Sequence, residues 1–236
     1  DGKSNKFWQI EQLGAELHIA WGKIGTAGQS QVKAFDDEAK AAVAKAKLIA
    51  ECGDAKRVHA MVCDVGDEAA LEAAFAQSVQ ALGGRIDSVF ANAGVSGKGK
   101  GLLDVTLEDW QRVQRINVEG VFLTFRAAAR HMIETGQGGS LVATASTAAI
   151  EGAARNGAYG ASKGAVTSFV RAVAVELARY KIRANSILPG WIETEMTEKS
   201  VANEKFANNV MPRIPARRWG NWDDFGGIAV YLASQA

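Results

Sequence analysis

Apolar and polar positions alternate at period two in three short N-terminal runs, Phe7–Glu11, Leu17–Trp21 and Ser30–Phe35. That period predicts a small antiparallel meander. Asp36, Asp37 and Glu38 then place acids where a helix would begin, and Ala42, Val43, Ala46, Leu48 and Ile49 supply an apolar stripe that ends at Gly53. From Val58 the grammar changes. Strand-like runs at Val58–Cys63, Ile86–Ala91, Ser140–Ala145 and Arg183–Leu188 are separated by helical stretches of ten or more residues. Such alternation predicts an α/β body, a parallel sheet with helices on both faces. The two grammars divide the chain into segments 1–54 and 55–236. All three prolines, Pro189, Pro212 and Pro215, fall in the last quarter, which reads as its loop-rich part.

Composition narrows the class. With 236 residues, 47% of them hydrophobic and 22% charged, the chain can bury a sizeable core. A net charge of +1 provides no domain-wide basic field, so nucleic acid is not an expected partner. Apolar runs are interrupted before the roughly 20 residues needed to cross a bilayer, and the polar start Asp1–Lys6 lacks a signal-peptide core. A soluble, cytoplasmic protein is expected, with no membrane partner. The absence of an initial Met fits a fragment or a processed form. Cys52 and Cys63 are too few for a disulfide framework, and Cys63 reads as a small buried hydrophobe. His18, His59 and His131 stand far apart, so no metal site is expected.

The chemistry gathers in the second segment. Tyr159 and Lys163 are four residues apart at the head of a helix whose apolar stripe runs Val166, Val170, Val173 and Leu177. At that spacing they share one helix face, where an ammonium would favour the ionised phenol, which is the arrangement of a general acid/base pair. Ser146 follows the strand-like run ending at Ala145, and the C-terminal ends of parallel strands are where such sheets place ligands. Asn117 lies in the inward stripe Leu107, Trp110, Val113 and Val121 of another helix. A buried amide there needs partners, and a helix-kinking or bridging role is the plain alternative to a catalytic one.

Together Asn117, Ser146, Tyr159 and Lys163 resemble the catalytic tetrad of the short-chain dehydrogenase/reductase family. The resemblance runs from about Val58 to Ala233. Cys63-Asp64-Val65 is similar to the family's strand-end acid that contacts adenine, and Asn92-Ala93-Gly94 to its motif beside the cofactor. Pro189-Gly190-Trp191-Ile192-Glu193-Thr194 resembles the segment that holds the nicotinamide amide and phosphate. The resemblance implies NAD or NADP as cofactor, bound through Asp64, Val65, Asn92, Ala93, Gly94, Tyr159, Lys163, Pro189, Gly190, Ile192 and Thr194. It implies an oxidoreductase that moves a hydride between the cofactor and a secondary alcohol or ketone. Tyr159 would exchange a proton with the substrate oxygen and Ser146 would hydrogen-bond it. Lys163 would support the phenol and bind ribose, and Asn117 would anchor a water-linked relay. A homo-oligomer is expected.

The sequence also departs from that family. Its glycine-rich turn, T-G-x-x-x-G-x-G, is not found. Gly22-Lys23-Ile24-Gly25-Thr26-Ala27-Gly28 has other spacing and leads into a strand-like run. Residues 1–53 instead resemble a WGR domain, through Lys6-Phe7-Trp8, Trp21–Gln29, Lys33-Ala34-Phe35 and Lys47-Leu48-Ile49. Seven lysines against eight acids in residues 1–54 do not favour DNA there. The expected fold class is therefore an incomplete Rossmann-type doubly wound parallel sheet preceded by a small α+β WGR-like module with its own core. The alternative function is a non-catalytic binding or scaffold protein on a degenerate body, or an artificial fusion. Gly94–Lys100 fits G-x-x-x-x-G-K, but Gly101 stands where a Mg²⁺-binding hydroxyl would be required, so the run reads as a mobile substrate-side loop.

Overall fold

Two runs of small and branched residues without polar alternation, Ser88–Ala91 and Gly139–Thr144, form adjacent parallel strands, β4 and β5. Continuous apolar burial is what a parallel pair covered on both faces requires. In the computed structural model, which describes residues 6–13, 16–23, 29–34, 43, 46, 50, 59, 61, 63–194 and 196–234, these strands are central in a six-stranded sheet. The strands are β1 (Lys6–Leu13), β2 (Glu16–Lys23), β3 (Gln29–Ala34), β4, β5 and β6 (Ile182–Ile187), and they lie side by side in chain order. β1, β2 and β3 pair antiparallel as the alternation predicts.

The sheet does not stop at the expected boundary near residue 54. β3 pairs parallel with β4 through Gln31 and Phe90, so the meander occupies the sheet position beside β4 instead of standing apart. An exposed edge of unpaired backbone groups on β4 would be costly, and β3 covers it. The strand expected at Val58–Cys63 is not seen: His59, Met61 and Cys63 lie outside any strand, while the remaining residues of that run fall outside the described ones. Met61 and Cys63 are nonetheless buried, packed with Leu71, Ala74, Leu123 and Ala127. Of the helix expected over Asp36–Gly53, the described residues Val43, Ala46 and Ala50 are helical, and the rest lies outside the described residues. The loop of the WGR-like reading, residues 24–28, and Cys52 lie outside them as well.

Helices α1 (Glu68–Ala81), α2 (Leu107–Gln114), α3 (Gly120–Thr135) and α4 (Gly157–Leu177) alternate with the parallel strands, followed by the short α5 (Glu198–Val201) and α6 (Glu204–Val210), then α7 (Asp223–Ala233). Side chains capture orphan N–H groups at three starts: Asp67 accepts from Ala70 N at 2.9 Å, Thr106 from Asp109 N at 3.1 Å and Asn203 from Phe206 N at 3.0 Å. Gly138, just before β5, has φ of 74°, and a Cβ there would sit 2.4 Å from the Lys181 carbonyl oxygen, so only glycine fits.

One face of the sheet sends Val89, Ala91, Leu141 and Ala143 against Val121, Phe125, Ala128 and Met132 of α3 and Val166, Val170 and Val173 of α4. The other sends Phe90 and Val142 against Ala233 of α7. Fully burying each large side chain contributes roughly 1.5–3 kcal/mol. The α4 stripe is buried as its spacing predicts, but Leu107 and Trp110 of α2 are exposed, at 69% and 38%. The reason is a π-helical turn, Arg115–Glu119, between α2 and α3. The wider turn re-phases the inward stripe, so Asp109 and Val113 point inward ahead of it and Asn117 and Val121 within and after it.

The core reading is tested by truncation on β5. Leu141→Ala should lower unfolding free energy by about 2–5 kcal/mol, because Leu141 is completely buried between helices and sheet. Leu103→Ala, at a fully exposed loop position, should change it by less than about 0.5 kcal/mol. Urea titration of both variants reads the difference, and equal effects would contradict the assigned core.

Candidate active site

The parallel strands end together, and their C-terminal ends receive the site. Ala91 of β4 lies opposite Ala143 of β5, and the next side chains are joined: the Thr144 hydroxyl donates to Asn92 Oδ1 at 2.7 Å. The chain then turns through Ala93 and Gly94. A Cβ on Gly94 would stand 3.3 Å from Asn117 Oδ1 and 3.4 Å from Lys163 Nζ, tighter than most real contacts. Glycine therefore lets the β4 loop close on both side chains.

Asn117 sits in the π turn with no exposed surface. Its Oδ1 accepts from Val95 N at 2.8 Å, and its Nδ2 donates to Val95 O at 3.0 Å and to Ser162 Oγ at 2.9 Å. The amide thus bridges the loop after β4 to α4. Lys163 is almost fully buried, and its ammonium donates to the Thr144 carbonyl at 2.7 Å. It lies 5.6 Å from the centre of the half-buried Tyr159 ring, within reach of a cation–π contact. Burial pushes Lys163 down from its ordinary value to about 8.

Ser146 follows β5 by two residues. Its Oγ accepts from Ala148 N at 3.2 Å and so caps a short 3₁₀ turn, Thr147–Ala149. That turn packs on the Tyr159 end of α4: a Cβ on Gly160 would lie 3.2 Å from Ala148 O. Thr147 N in turn donates to Pro189 O at 3.0 Å, which brings the Pro189–Gly190 segment alongside. Ile192 forms a parallel bridge with Gly220, and Thr194 is exposed, with its N–H donating to Thr197 Oγ1 at 3.0 Å.

Asp64 and Val65 reach the π turn from the other side. Val65 is buried against Gly120, where a Cβ would lie 2.8 Å from Val65 Cγ2. The Asp64 carboxylate accepts from Gly66 N at 2.9 Å and from Arg115 at 2.8 Å. Burial pushes that carboxyl up, but the Arg115 and Gly66 hydrogen bonds and the Arg115 charge outweigh it and hold it below its ordinary value.

Spacing alone did not find four participants: Thr144, whose backbone carbonyl holds the lysine; Ser162, next to it; Arg115; and Asp109. The last was hidden because acids in a first helical turn are read as surface groups. Here Asp109 is buried, and Lys98 and Lys100 reach its two oxygens at 2.6 and 2.7 Å. Hydrogen bonds from Lys100 and then Lys98 hold its carboxyl well below the usual carboxylate range. The loop read as mobile is tied on both sides: Gly97 N donates to Asn156 Oδ1, Arg155 to Gly99 O and Arg112 to Ser96 O. With both lysines committed to Asp109 and a turn, not a helix, following at Gly101, it is not a phosphate loop. Among the described residues no group of three or more His, Cys, Asp or Glu could hold a metal ion, and no helix is long and apolar enough to cross a membrane.

The arrangement offers a phenol beside a buried ammonium, a hydroxyl on the adjoining turn and an amide bridging the loop after β4 to α4. After its bond to Thr144, Lys163 has two N–H groups left for a polar ligand. Its depressed value also ties stability to pH. The folded group titrates near 8 and an unfolded lysine near 10.4, so the fold disfavours the charged form, and stability from this residue rises as pH climbs between those values. Lys163→Met should flatten that rise and add on the order of 2 kcal/mol at pH 7, after allowing for the lost Thr144 bond. Urea unfolding at pH 7 to 10 measures it, and a variant with the parent's slope would show that the ammonium is not disfavoured.

Comparisons with known proteins bear on the same region. A family model described as enoyl-(acyl carrier protein) reductase matches residues 23–236, beginning inside the segment that resembles a WGR domain. A 2-dehydro-3-deoxy-D-gluconate 5-dehydrogenase of Escherichia coli is 37% identical over 153 residues, 65% of this chain and 60% of that protein. One from Dickeya dadantii is 33% identical over 181 residues, 77% of this chain and 71% of its own. The chain thus spans about 60% of the length of the first relative and somewhat more of the second. The crystal structure of a gluconate 5-dehydrogenase from Burkholderia cenocepacia, in complex with NADP and tartrate, superimposes with a TM-score of 0.75 at 35% identity, covering 84% of this chain and 75% of that one.

Proposed function

The chain belongs to the short-chain dehydrogenase/reductase family, and from that premise we propose that it is an NAD(P)-dependent oxidoreductase interconverting a secondary alcohol and a ketone. The single observation that carries the reading is the buried Lys163 ammonium, held between the Thr144 carbonyl and the Tyr159 ring. A cation is taken out of water there beside a phenol, an expensive placement whose use is proton transfer. The scaffold alternative has less support, since relatives at 33–37% identity are dehydrogenases. Their named substrate and the tartrate of the solved neighbour favour a polyhydroxy acid as the substrate class to try first.

In this reading Tyr159 gives or takes the proton at the substrate oxygen, and Ser146 donates a hydrogen bond to the same oxygen. Lys163 supports the phenolate and offers its two remaining N–H groups to ribose hydroxyls. Asn117, with its side chain spent on Val95 and Ser162, holds the loop after β4 against α4 and anchors the relay. Asp64, Val65, Asn92, Ala93, Gly94, Pro189, Gly190, Ile192 and Thr194 would hold the cofactor, which supplies or accepts the hydride when bound. The residues present fit its nicotinamide–ribose end: a buried ammonium with free donors faces a glycine loop that a Cβ would crowd.

Tyr159→Phe deletes one hydroxyl and should cut NAD(P)-dependent turnover of a sugar acid by about 10²–10⁴-fold, with the fold intact by circular dichroism. Lys163→Ala should lose both rate and cofactor affinity. Undiminished turnover in Tyr159→Phe would move the proton transfer to another group, and an inactive parent chain across a panel of alcohols and ketones would overturn the reading.

The chain has no T-G-x-x-x-G-x-G run, so two or more backbone donors to the pyrophosphate, each worth roughly 1.5–3 kcal/mol, are expected to be missing. Calorimetry should therefore find NAD(P)H binding in the millimolar range, about 10²-fold or more weaker than with that turn. A micromolar constant would show that another segment supplies the phosphate site.

A further inference from the structure

Ser162 lies between the two residues of the Tyr159–Lys163 pair and has no exposed surface. Three positions after Tyr159, it falls on the same side of α4. Its hydroxyl is committed at both ends. Asn117 Nδ2 can only donate, so at 2.9 Å the Ser162 oxygen accepts; its one hydrogen then goes to the Tyr159 carbonyl at 2.7 Å. The result is a directed chain in which Val95 N donates to Asn117 Oδ1, Asn117 Nδ2 to Ser162 Oγ and the Ser162 hydroxyl to the Tyr159 carbonyl.

A serine that bonds back to the carbonyl three residues earlier competes with the helical ladder and adjusts the turn that carries it. Here that turn carries the phenol. α4 has no side-chain cap at its start, and its first turn is tied to its surroundings by this bond and by Gln114 Nε2, which donates to Ala158 O at 3.1 Å. Removing the hydroxyl would leave a buried Asn117 N–H without its acceptor and take from the Tyr159 carbonyl its bond to the serine, two losses on either side of that hydroxyl.

We infer that Ser162 is a positioning residue: it fixes the first turn of α4 against Asn117 and so sets the Tyr159 phenol relative to the Lys163 ammonium. The inference rests on the reading of Tyr159 as the proton-transfer group, but its test does not need turnover. The chain has three tyrosines, Tyr159, Tyr180 and Tyr231, so ring signals from ¹³C-labelled tyrosine can be followed one by one.

In Ser162→Ala the Tyr159 ring signals should shift and broaden, because a loosened turn lets the ring leave its fixed place beside Lys163. Those of Tyr180 and Tyr231 should stay in place. Ser162→Cys, which keeps a weaker donor on a somewhat larger side chain, should shift the Tyr159 signals less, and is the variant to read if Ser162→Ala does not fold. In turning-over enzyme kcat should fall about tenfold with the cofactor KM within about twofold. A lowered melting temperature with unshifted Tyr159 ring signals in the folded variants would overturn the inference. A parent chain without turnover would instead overturn the proposed function, and the ring signals would still decide the role of Ser162.

Discussion

An ammonium taken out of water must be given back hydrogen bonds, and the site is organised around that demand at Lys163. Its side chain enters from α4 and finds the Thr144 carbonyl at the end of β5. For the carbonyl to be within reach, β5 must end there and α4 must lie close along the sheet, which the Val166, Val170 and Val173 packing on Leu141 and Ala143 secures. The loop after β4 must also come near, and Gly94 permits it. Hydrophobic packing here has a chemical product. It holds a charge where protein dipoles replace solvent, and a phenol beside it.

Asn117 meets the same constraint with a neutral group. A fully buried amide is acceptable when its capacity is used, and Val95 and Ser162 use it. The π turn brings it there. An uninterrupted α-helix from Leu107 would keep one inward stripe; the wider turn brings Asn117 inward beside Ser162 and leaves Leu107 and Trp110 in solvent. Local irregularity in the helix is thus the means by which a polar group joins the loop after β4 to α4.

Much of this was legible in the residue pattern. The strands β4, β5 and β6, the buried α4 stripe and the pairing of Tyr159 with Lys163 follow from periodicity and spacing, while Asn117 was grouped with them by the family resemblance. The exceptions share a cause: they depend on what a neighbour does. Trp110 reads as inward until the π turn re-phases the helix. Asp109 reads as a surface acid until Lys98 and Lys100 make its burial tolerable. The period-two pattern found β3 but not its place, because pairing with β4 is set by which sheet edge stands open. Thr144 could not be found at all, since the carbonyl that holds the lysine is backbone and any residue has one.

The order of the strands has a consequence for how the molecule comes together. The bonds that define the site span moderate stretches of chain: Thr144 to Lys163, Val95 to Asn117, Asn117 to Ser162. The joint between β3 and β4 links Gln31 to Phe90, a longer loop whose closure costs more chain entropy, by about 1 kcal/mol relative to the shortest of the others. The C-terminal end of β4 and β5 can therefore assemble from its own local contacts, with the N-terminal strands docking afterwards onto an edge already in place.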